Sequence, residues 1–463
     1  MLVKQGLQAD ERVVVQVSKS IVAVELYLGV ILAGGIFIPL NTAYTASELE
    51  YFLSDATPSI LVCDPKTENL LSPIAQKENV KSLLTLAQDG SGSLMELADK
   101  EEAGFLGVAR SKDDLASIIY TSGTTGRSKG AMLSHGNLHS NATTLAKIWK
   151  FEKNDKLIHS LPIFHVHGLF VAINITLLVG STMIFHNSFN ADEILNDMDR
   201  ASVLMGVPTF YVRLLEQDEL SQSRTQNMRL FVSGSAPMLV ETHKQWKDKT
   251  GHSIIERYGM SETNMNTSNP YDGDRRAGTV GFPLPNVEVI VTEVSTGKPL
   301  ATGEVGSIEV RGPNVFKGYW KMPEKTAEEL RESGFFITGD LGSYDEDGYL
   351  SIVGRSKDLV ISGGYNIYPK ELELIIDEIE GVNESAVIGL PDTDFGERVA
   401  AIVVKTTDAQ ISSQDIMECI QPKLARFKQP KDIYFIDELP RNTMGKVQKN
   451  SLRETYKDMQ FQT

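Results

Sequence analysis

Between residues 23 and 291, short apolar runs alternate with longer amphipathic stretches. Four of the runs predict strands, at residues 118–120, 203–205, 230–232 and 253–255. The amphipathic stretches predict helices, among them residues 192–200, 208–215 and 239–249. Because strands that alternate with helices pack as sheets covered by helices, this part of the chain predicts an α/β fold.

The hydrophobic period changes to two between residues 287 and 353, in VEVIVTE, GSIEVRG and GYLSIVG. This alternation predicts a small antiparallel barrel or sheet that completes a large N-terminal domain. After Gly354 the pattern becomes a compact α+β one, with a helix near residues 415–424 and a last helix behind it. We predict two domains, at residues 1–355 and 356–463.

Residues 22–40 are nearly all apolar, long enough to cross a membrane, but they contain Glu25, Gly34, Gly35 and Pro39. We therefore interpret them as a buried helix followed by a strand and expect no integral membrane segment. The opening MLVKQGLQADERVVVQ has neither the basic cap nor the apolar core of a signal peptide, which predicts a cytoplasmic protein.

The charge balance and the cysteine content of the chain limit which partners and ligands we expect. The 463 residues include 45 Lys and Arg against 61 Asp and Glu, a net charge of −16, so we expect no nucleic-acid partner. The two cysteines, Cys63 and Cys419, lie far apart with no ligand-like spacing, and we expect both to be small buried hydrophobes. The oligomeric state is left open.

Residues 121–130, TSGTTGRSKG, follow a predicted strand and precede a helix that starts near His135. Small hydroxyl and glycine residues leave backbone N–H groups open to an anion, and Arg127 and Lys129 add positive charge. We predict a phosphate-binding loop, although the spacing is not GxxxxGK[ST]. Its candidate residues are Thr121, Ser122, Gly123, Thr124, Thr125, Gly126 and Lys129.

Six further motifs accompany this loop in chain order: LPIFHVHG, GSAP, ERYGMSET, FFITGDLG, GRSKDLVISGGYNIYP and PRNTMGKVQK. With the loop, they resemble the adenylate-forming superfamily of acyl-CoA synthetases, luciferases and peptide-synthetase adenylation domains. The resemblance implies that a carboxylate is joined to the α-phosphate of ATP with release of pyrophosphate, and that the acyl group then passes from AMP to coenzyme A. It also implies Mg²⁺ as cofactor and a mobile C-terminal domain.

The resemblance assigns roles residue by residue. Lys446 would bridge carboxylate and α-phosphate, Glu262 would hold Mg²⁺ with Thr263 beside it, and His165 would lie near the acyl carboxylate. Lys357 would be the hinge, with Gly363 and Gly364 beside the pantetheine of coenzyme A. The implied ATP-binding residues outside the loop are Gly234, Ser235, Ala236, Glu256, Arg257, Tyr258, Gly259, Asp340 and Arg355.

Arginines in acyl-pocket segments bear on which acid is used. Arg213 lies in GVPTFYVRLL, and Arg275 and Arg276 lie in NPYDGDRRAGTVG. A guanidinium in an acyl pocket is costly unless it meets an anion, which suggests a second carboxylate on the substrate. These segments look most like the malonyl-CoA synthetase branch, in which Arg213 and Arg276 would hold the distal carboxylate of malonate or methylmalonate; we expect Arg275 to be solvated.

Other functions stay open at this point. The first alternative is a short- or medium-chain fatty acyl-CoA ligase. Two further ones are an adenylation domain that loads a carrier protein and a nucleotide-binding pseudoenzyme; the presence of Lys446, Glu262 and Asp340 argues against the pseudoenzyme. The family's usual opening strand and helix are not seen before GLQADERVVV, so we expect an N-terminally short first domain.

Overall fold

A computed structural model of the protein describes residues 1–121, 128–362, 365–392, 395–407, 409–442, 445–457 and 459, with residue 366 described by its backbone alone. The chain divides into two compact units. Unit 1 comprises Met1–Gly278, Phe282–Glu288 and Val310–Phe336, and unit 2 comprises Thr279–Gly281, Val289–Glu309 and Ile337–Thr463. The predicted boundary between residues 355 and 356 divides the chain differently and stays a prediction.

The first sheet of unit 1 has the strand order β4-β3-β1-β2-β5-β6. Its strands are β1 (Arg12–Gln16), β2 (Ile36–Pro39), β3 (Ile60–Cys63), β4 (Ser82–Thr85), β5 (Leu115–Thr121) and β6 (Lys129–Ser134). The helices in this region are α1 (Ile21–Leu32), α2 (Ala46–Ala56), α3 (Glu68–Lys77), α4 (Ser93–Ala98) and α5 (His135–Ile148), with a 3₁₀ turn at Pro65–Thr67. Strands β1 to β5 pair in parallel, as expected of continuous apolar runs buried on both faces, and β6 is antiparallel to β5.

The second sheet of unit 1 has the order β13-β12-β11-β10-β9-β7-β8. Its strands are β7 (Lys156–His159), β8 (Thr182–Phe185), β9 (Val203–Gly206), β10 (Leu230–Ser233), β11 (Ile255–Met260), β12 (Asn264–Ser268) and β13 (Phe282–Pro283). The helices here are a π-helix at His167–Ile173, α6 (Asn174–Val179), α7 (Ala191–Asp197), a 3₁₀ turn at Met198–Arg200, α8 (Pro208–Leu215) and α9 (Val240–Thr250). Tyr211, Phe231 and Trp246 pack together in its core.

The segment predicted to have period two forms a four-stranded sheet in the order β14-β15-β16-β17. Its strands are β14 (Glu288–Thr292), β15 (Gly306–Arg311), β16 (Phe336–Tyr344) and β17 (Leu350–Arg355), and α10 (Pro323–Glu329) lies between β15 and β16 in the chain. Strands β16 and β17 pair in antiparallel register.

The last sheet belongs to unit 2 and has the order β19-β18-β21-β20, with β22 parallel to β21. Its elements are β18 (Val360–Ser362), β19 (Tyr365–Ile367), α11 (Pro369–Asp377), β20 (Val382–Asp392), β21 (Gly396–Lys405), α12 (Ser413–Ile420), β22 (Asp432–Ile436) and α13 (Lys449–Tyr456), with 3₁₀ turns at Ser356–Asp358 and Arg426–Lys428. Successive residues of β20 point to opposite faces, so Val387 and Ile388 enter two different apolar clusters.

The predicted α/β fold class is confirmed, and the helix followed by a strand expected in residues 22–40 is present as α1 and β2. Across the described ranges, no helix combines the length and the apolarity needed to span a bilayer. The expectation for the cysteines is wrong in one case: Cys63 is buried, but Cys419 is exposed on α12. Its helix turns that position toward solvent, whereas Ile416 and Ile420 face the core.

Candidate active site

The predicted phosphate loop connects two antiparallel strands of unit 1. Thr121 at the end of β5 lies opposite Lys129 at the start of β6, and the Tyr51 hydroxyl donates to the carbonyl of Ser128 at 2.7 Å. The helix predicted to start near His135 is present as α5, and the rest of β6 lies between the loop and that helix. The predicted residues Ser122, Gly123, Thr124, Thr125 and Gly126, as well as Arg127, lie outside the described part of the chain.

Lys129 belongs to a buried polar network in unit 1. Its ammonium donates to Glu329 at 3.1 Å and lies 4.1 Å from the ring centroid of Tyr319. The Tyr319 hydroxyl lies 2.6 Å from Glu329 Oε2 and 3.0 Å from Glu262 Oε1. Burial and the two carboxylates raise the pKa of Tyr319, so the phenol keeps its proton. The network thus connects the lysine of the predicted phosphate loop to the predicted metal ligand.

Glu262 and Thr263 lie in the turn between β11 and β12, and both are buried. The Asn314 amide donates to the backbone carbonyl of Thr263 at 2.7 Å and fixes this turn. Among the described residues, the Thr263 hydroxyl has no hydrogen-bond partner, although it is fully buried. A buried hydroxyl of this kind has capacity for a ligand or its water. The described residues contain no group of three or more His, Cys, Asp or Glu side chains placed to hold a metal ion.

Strand β11 directs its side chains alternately to its two faces. The Glu256 carboxylate accepts from His243 Nδ1 at 3.0 Å and from the backbone N–H of Gly278 at 3.1 Å. Burial raises the pKa of Glu256. This carboxylate is therefore engaged within unit 1, where it ties α9 to the segment that contains Arg276.

Gly259, later on β11, sits at a bulge in the pairing with β12. A Cβ there would lie 1.8 Å from the carbonyl oxygen of Asn264, so only glycine fits. The same strand holds Tyr258, which is buried.

Arg257 lies on the opposite face of β11 from Glu256 and is 3% exposed. Burial lowers the pKa of its guanidinium to about 9, so the group is still charged at neutral pH. Its Nε and Nη2 have no hydrogen-bond partner in the described parts of the chain. Gly234 makes room for it, since a Cβ at that position would lie 2.5 Å from Arg257 Cζ. Unit 1 therefore buries a cation without a counter-charge among the residues described.

Ser235 follows Gly234 with a φ of 71° and approaches His167, whose Nδ1 lies 3.4 Å from the serine hydroxyl. Burial, followed by the charge of Arg257, holds the pKa of His167 well below its usual value. An uncharged imidazole and a hydroxyl thus lie near the buried guanidinium. Ala236, the third predicted residue of this turn, is the next residue in the chain.

His165 is half-buried in the segment between β7 and the π-helix, with its ring tilted against Phe164 at 4.5 Å. Lys19 fixes the start of this segment. Its Nζ donates to the carbonyl oxygen of His159 at 2.8 Å and lies 2.9 Å from His159 Nδ1. Because His159 Nε2 lies 2.9 Å from the carbonyl of Gly168, which can only accept, we assign the imidazole proton to Nε2 and the acceptor role to Nδ1.

The three arginines predicted to bear on the acid have different environments. Arg213 is exposed on α8, and its Cζ lies 5.7 Å from the ring centroid of Phe189. Tyr211, in contrast, lies on the buried face of α8, and its hydroxyl donates to the carbonyl of Val232. Arg276 Nε lies 3.3 Å from Asp274 Oδ2. The expectation that Arg275 is solvated is wrong.

Arg275 is half-buried and donates to the carbonyls of Ser253 and Tyr271, each at 2.8 Å. The centroid of the Tyr271 ring lies 5.4 Å from Arg275 Cζ. The two carbonyl acceptors and this aromatic ring replace the hydrogen bonds and the charge stabilisation that water gives an exposed guanidinium.

In unit 2, the two predicted ribose residues are brought together. Asp340 on β16 pairs in register with Arg355 on β17, and Arg355 Nε lies 2.7 Å from Asp340 Oδ1. Asp340 is 5% exposed, and its N–H donates to the Thr338 hydroxyl at 3.1 Å. The ion pair holds the carboxylate in one orientation at the strand edge.

Lys446 is exposed near the C-terminus of unit 2, in a turn that its own backbone closes. Its N–H donates to Asn442 Oδ1 at 3.0 Å, and its carbonyl accepts from the Asn442 N–H at 2.9 Å. Arg441 donates to the carbonyl of Gly445 at 2.6 Å and also pairs with Glu384 on β20. The turn that carries Lys446 is therefore anchored to β20 through Arg441.

Lys357 lies in the 3₁₀ turn after β17, where burial lowers its pKa. Gly363 and Gly364 lie outside the described residues.

The structure also contains polar groups that the sequence did not single out. Tyr319 and Glu329 fall in no recognised motif, and Glu329 is 200 residues from its partner Lys129. The lack of a partner for Arg257 Nε and Nη2 among the described residues was equally hidden, although the alternation of β11 was a usable signal that the side chain points away from Glu256 and Tyr258.

The comparisons with known proteins agree on one family. The AMP-binding enzyme family model matches residues 1–320, and the model of the AMP-binding enzyme C-terminal domain matches residues 371–446. The chain belongs to the AMP-binding enzyme family. The predicted superfamily is thereby confirmed.

Three individual relatives are similar to this chain over more than nine-tenths of its length. The crystal structure of ATP-bound MatB from Rhodopseudomonas palustris has a TM-score of 0.97 and 58% sequence identity, and the match covers 99% of this chain and 91% of that one. Malonate–CoA ligase of Arabidopsis thaliana is 35% identical over 94% of this chain and 76% of its own length. Long-chain-fatty-acid–CoA ligase of Bacillus subtilis is 34% identical over 97% of this chain and 86% of its own length.

Proposed function

We propose that the protein is an AMP-forming malonate–CoA ligase. In the first half-reaction, a malonate carboxylate oxygen attacks the α-phosphorus of ATP and pyrophosphate leaves. In the second, the coenzyme A thiol attacks the acyl carbon and AMP leaves. Membership of the AMP-binding enzyme family and the likeness to MatB and to malonate–CoA ligase support this chemistry.

The observation that carries the choice of acid is the buried guanidinium of Arg257. A buried cation without a counter-charge is costly, and a carboxylate can accept two of its N–H groups at once. Its Nε and Nη2 are the donors without a partner in the described chain. We therefore assign the distal carboxylate of malonate to Arg257, in preference to the exposed Arg213 and to Arg276 beside Asp274.

Methylmalonate differs from malonate by one methyl group, which leaves both carboxylates in place. We keep it as a second substrate of the same site. The Ser235 hydroxyl and the uncharged imidazole of His167 provide additional polar contacts close to Arg257.

ATP is assigned to the loop that ends at Lys129, to the turn at Gly234, and to the Asp340–Arg355 pair. Mg²⁺ fits Glu262, because this buried carboxylate lies next to the Thr263 hydroxyl, which has no partner among the residues described, and such a pair suits an ion that takes its other ligands from phosphate and water. When bound, Mg²⁺ supplies positive charge against the triphosphate. Lys446 would add a cation at the reacting groups.

Coenzyme A is the acyl acceptor in this proposal, with Lys357 as the hinge of a C-terminal domain that starts at residue 356 and Gly363 and Gly364 at the pantetheine. We expect the protein to act in the cytoplasm on small-molecule substrates.

The test is pyrophosphate release by the full chain with ATP and Mg²⁺, with malonate, methylmalonate, acetate or octanoate as the acid. We expect release with malonate and not with octanoate. Arg257→Met should lower kcat/KM for malonate by about 100-fold or more, as expected when one partner of a buried charge pair is removed. Arg213→Met and Arg276→Met are the matched comparisons and should lower it by less than about 5-fold.

Thermal unfolding without substrate gives a second readout. Since Arg257 is a buried charge with two donors that have no partner in the described part of the chain, Arg257→Met should unfold at the same temperature as the wild type or higher. Loss of malonate activity in Arg213→Met or Arg276→Met, with Arg257→Met active, would move the carboxylate site to those arginines. Release with octanoate alone would instead make the protein a fatty acyl-CoA ligase.

A further inference from the structure

Lys129 already has an anionic partner within this chain, and that partner lies in a segment without a recognised motif. Glu329, the last residue of α10, accepts from the Lys129 ammonium at both carboxylate oxygens, at 3.1 and 3.3 Å. The Lys129 side chain is 10% exposed, and the Glu329 side chain 21%. A triphosphate that binds Lys129 must therefore compete with Glu329.

Glu329 has other partners that would remain after such an exchange. Lys325, one helical turn earlier, lies 3.0 Å from Glu329 Oε1, and the Tyr319 hydroxyl lies 2.6 Å from Oε2. The backbone of Tyr319 is held in turn by α10, since its N–H donates to the Thr326 hydroxyl at 2.9 Å. The carboxylate would thus keep a cation and a donor when Lys129 leaves.

Tyr319 relates this exchange to Glu262. A phenol has one hydrogen, so it donates to Glu329 or to Glu262, but not fully to both. With Lys129 on Glu329, the shorter contact is the one to Glu329, at 2.6 Å against 3.0 Å for Glu262.

We propose that Glu329 is an exchangeable counter-ion for Lys129, which holds the ammonium in place until a triphosphate or pyrophosphate takes it, while Tyr319 and Lys325 remain on Glu329. Glu329 is a positioning residue, since it acts through the lysine. The inference rests on the proposed function in one respect, namely that Lys129 binds the β- or γ-phosphate.

The test compares the equilibrium binding of ATP, pyrophosphate and AMP to the wild type and to Glu329→Gln by titration calorimetry. Removing the competing anion should tighten ATP and pyrophosphate binding by about 3- to 5-fold, the upper end of the range for a partly exposed ion pair. AMP, which lacks the β- and γ-phosphates, should bind within about 2-fold of the wild type. A variant that is merely damaged would not bind more tightly.

Glu328→Gln is the matched control. Glu328 is the preceding residue of α10 and pairs with Lys325 at 2.7 Å, so its replacement removes the same charge beside the same helix. We expect ATP binding of Glu328→Gln to match the wild type. In a Lys129→Met background, Glu329→Gln should no longer change ATP affinity, because the cation for which Glu329 and the phosphates compete is absent.

The outcomes separate the two hypotheses. If the wild type binds ATP but Glu329→Gln leaves its affinity unchanged or weakens it, the counter-ion exchange is refuted and the proposed function stands. Equal tightening by Glu328→Gln, or tightening that persists with Lys129→Met, would also refute the exchange, since the effect would then be general electrostatics. If the wild type binds none of the three nucleotides or phosphates, the proposed function itself fails.

Discussion

Lys19 is 8% exposed, and burial lowers the pKa of its ammonium to about 6, against an ordinary value of 10.5. Its neighbour His159 adds no compensating charge, because burial, followed by the charge of Lys19, lowers the pKa of His159 to about 3. At pH 7 to 9 the folded protein therefore holds Lys19 neutral, whereas the unfolded chain holds it protonated. The unfolded state binds the additional proton, so the contribution of Lys19 to stability rises with pH in this window.

The perturbation that isolates this effect is Lys19→Met, which keeps an unbranched side chain one atom shorter and removes its ionisation. Each pH unit between the two pKa values changes the free energy of unfolding of the wild type by about 1.4 kcal/mol through this group. From pH 7 to pH 9, the stability of the wild type relative to Lys19→Met should thus rise by about 2.7 kcal/mol. The loss of the bonds to His159 shifts the variant by a constant amount and leaves this slope intact.

The assay is urea unfolding followed by tryptophan fluorescence at several pH values. All three tryptophans of the chain, Trp149, Trp246 and Trp320, belong to unit 1, as Lys19 does, so the signal reports the relevant unit. Other titrations occur in both proteins and cancel in the difference. A difference that stays constant from pH 7 to pH 9 would refute the reasoning and show that Lys19 remains charged in the fold.

Three further outcomes follow from the geometry. Lys446→Ala should abolish malonate-dependent pyrophosphate release but largely spare thioester formation from added malonyl-adenylate; equal loss of both half-reactions would contradict a role confined to the first. Gly234→Ala should displace the Arg257 guanidinium, since the new Cβ would lie 2.5 Å from Cζ, and should raise KM for malonate at least 10-fold. Unchanged malonate kinetics would show that Arg257 does not bind the acid. A thiol reagent should modify Cys419 alone in the native protein and Cys63 only in denaturant, because Cys63 is buried and burial raises its thiol pKa to about 11; two fast-reacting thiols in mass spectra of native protein would contradict this.

The sequence predicted the elements with strong local patterns. The apolar runs at residues 203–205 and 230–232 became β9 and β10, and the segment with period two became a sheet. Strand β6 was missed because KGAMLS shows neither clear alternation nor an apolar run, and only its pairing with β5 makes it a strand.

For the candidate site, motifs located residues but not their electrostatic state. The motif that contains Arg257 gave no sign that the guanidinium is buried beside Gly234, because that contact joins β11 to the residue that follows β10. The sequence predicts that Arg275 is a surface charge, yet in the structure it donates hydrogen bonds to the carbonyls of Ser253 and Tyr271. The pairing of Lys129 with Glu329 depends on the whole course of the chain between them.

That separation of Lys129 and Glu329 affects how the protein is made. During synthesis, Lys129 leaves the ribosome 200 residues before its counter-ion does, which at common elongation rates is roughly 10–40 s. Unit 1 also requires Val310–Phe336, so its core cannot close until that stretch has emerged. The nascent N-terminal part therefore stays incompletely packed during that time. The yield of folded protein should be sensitive to chaperones and to the speed of translation through residues 130–336.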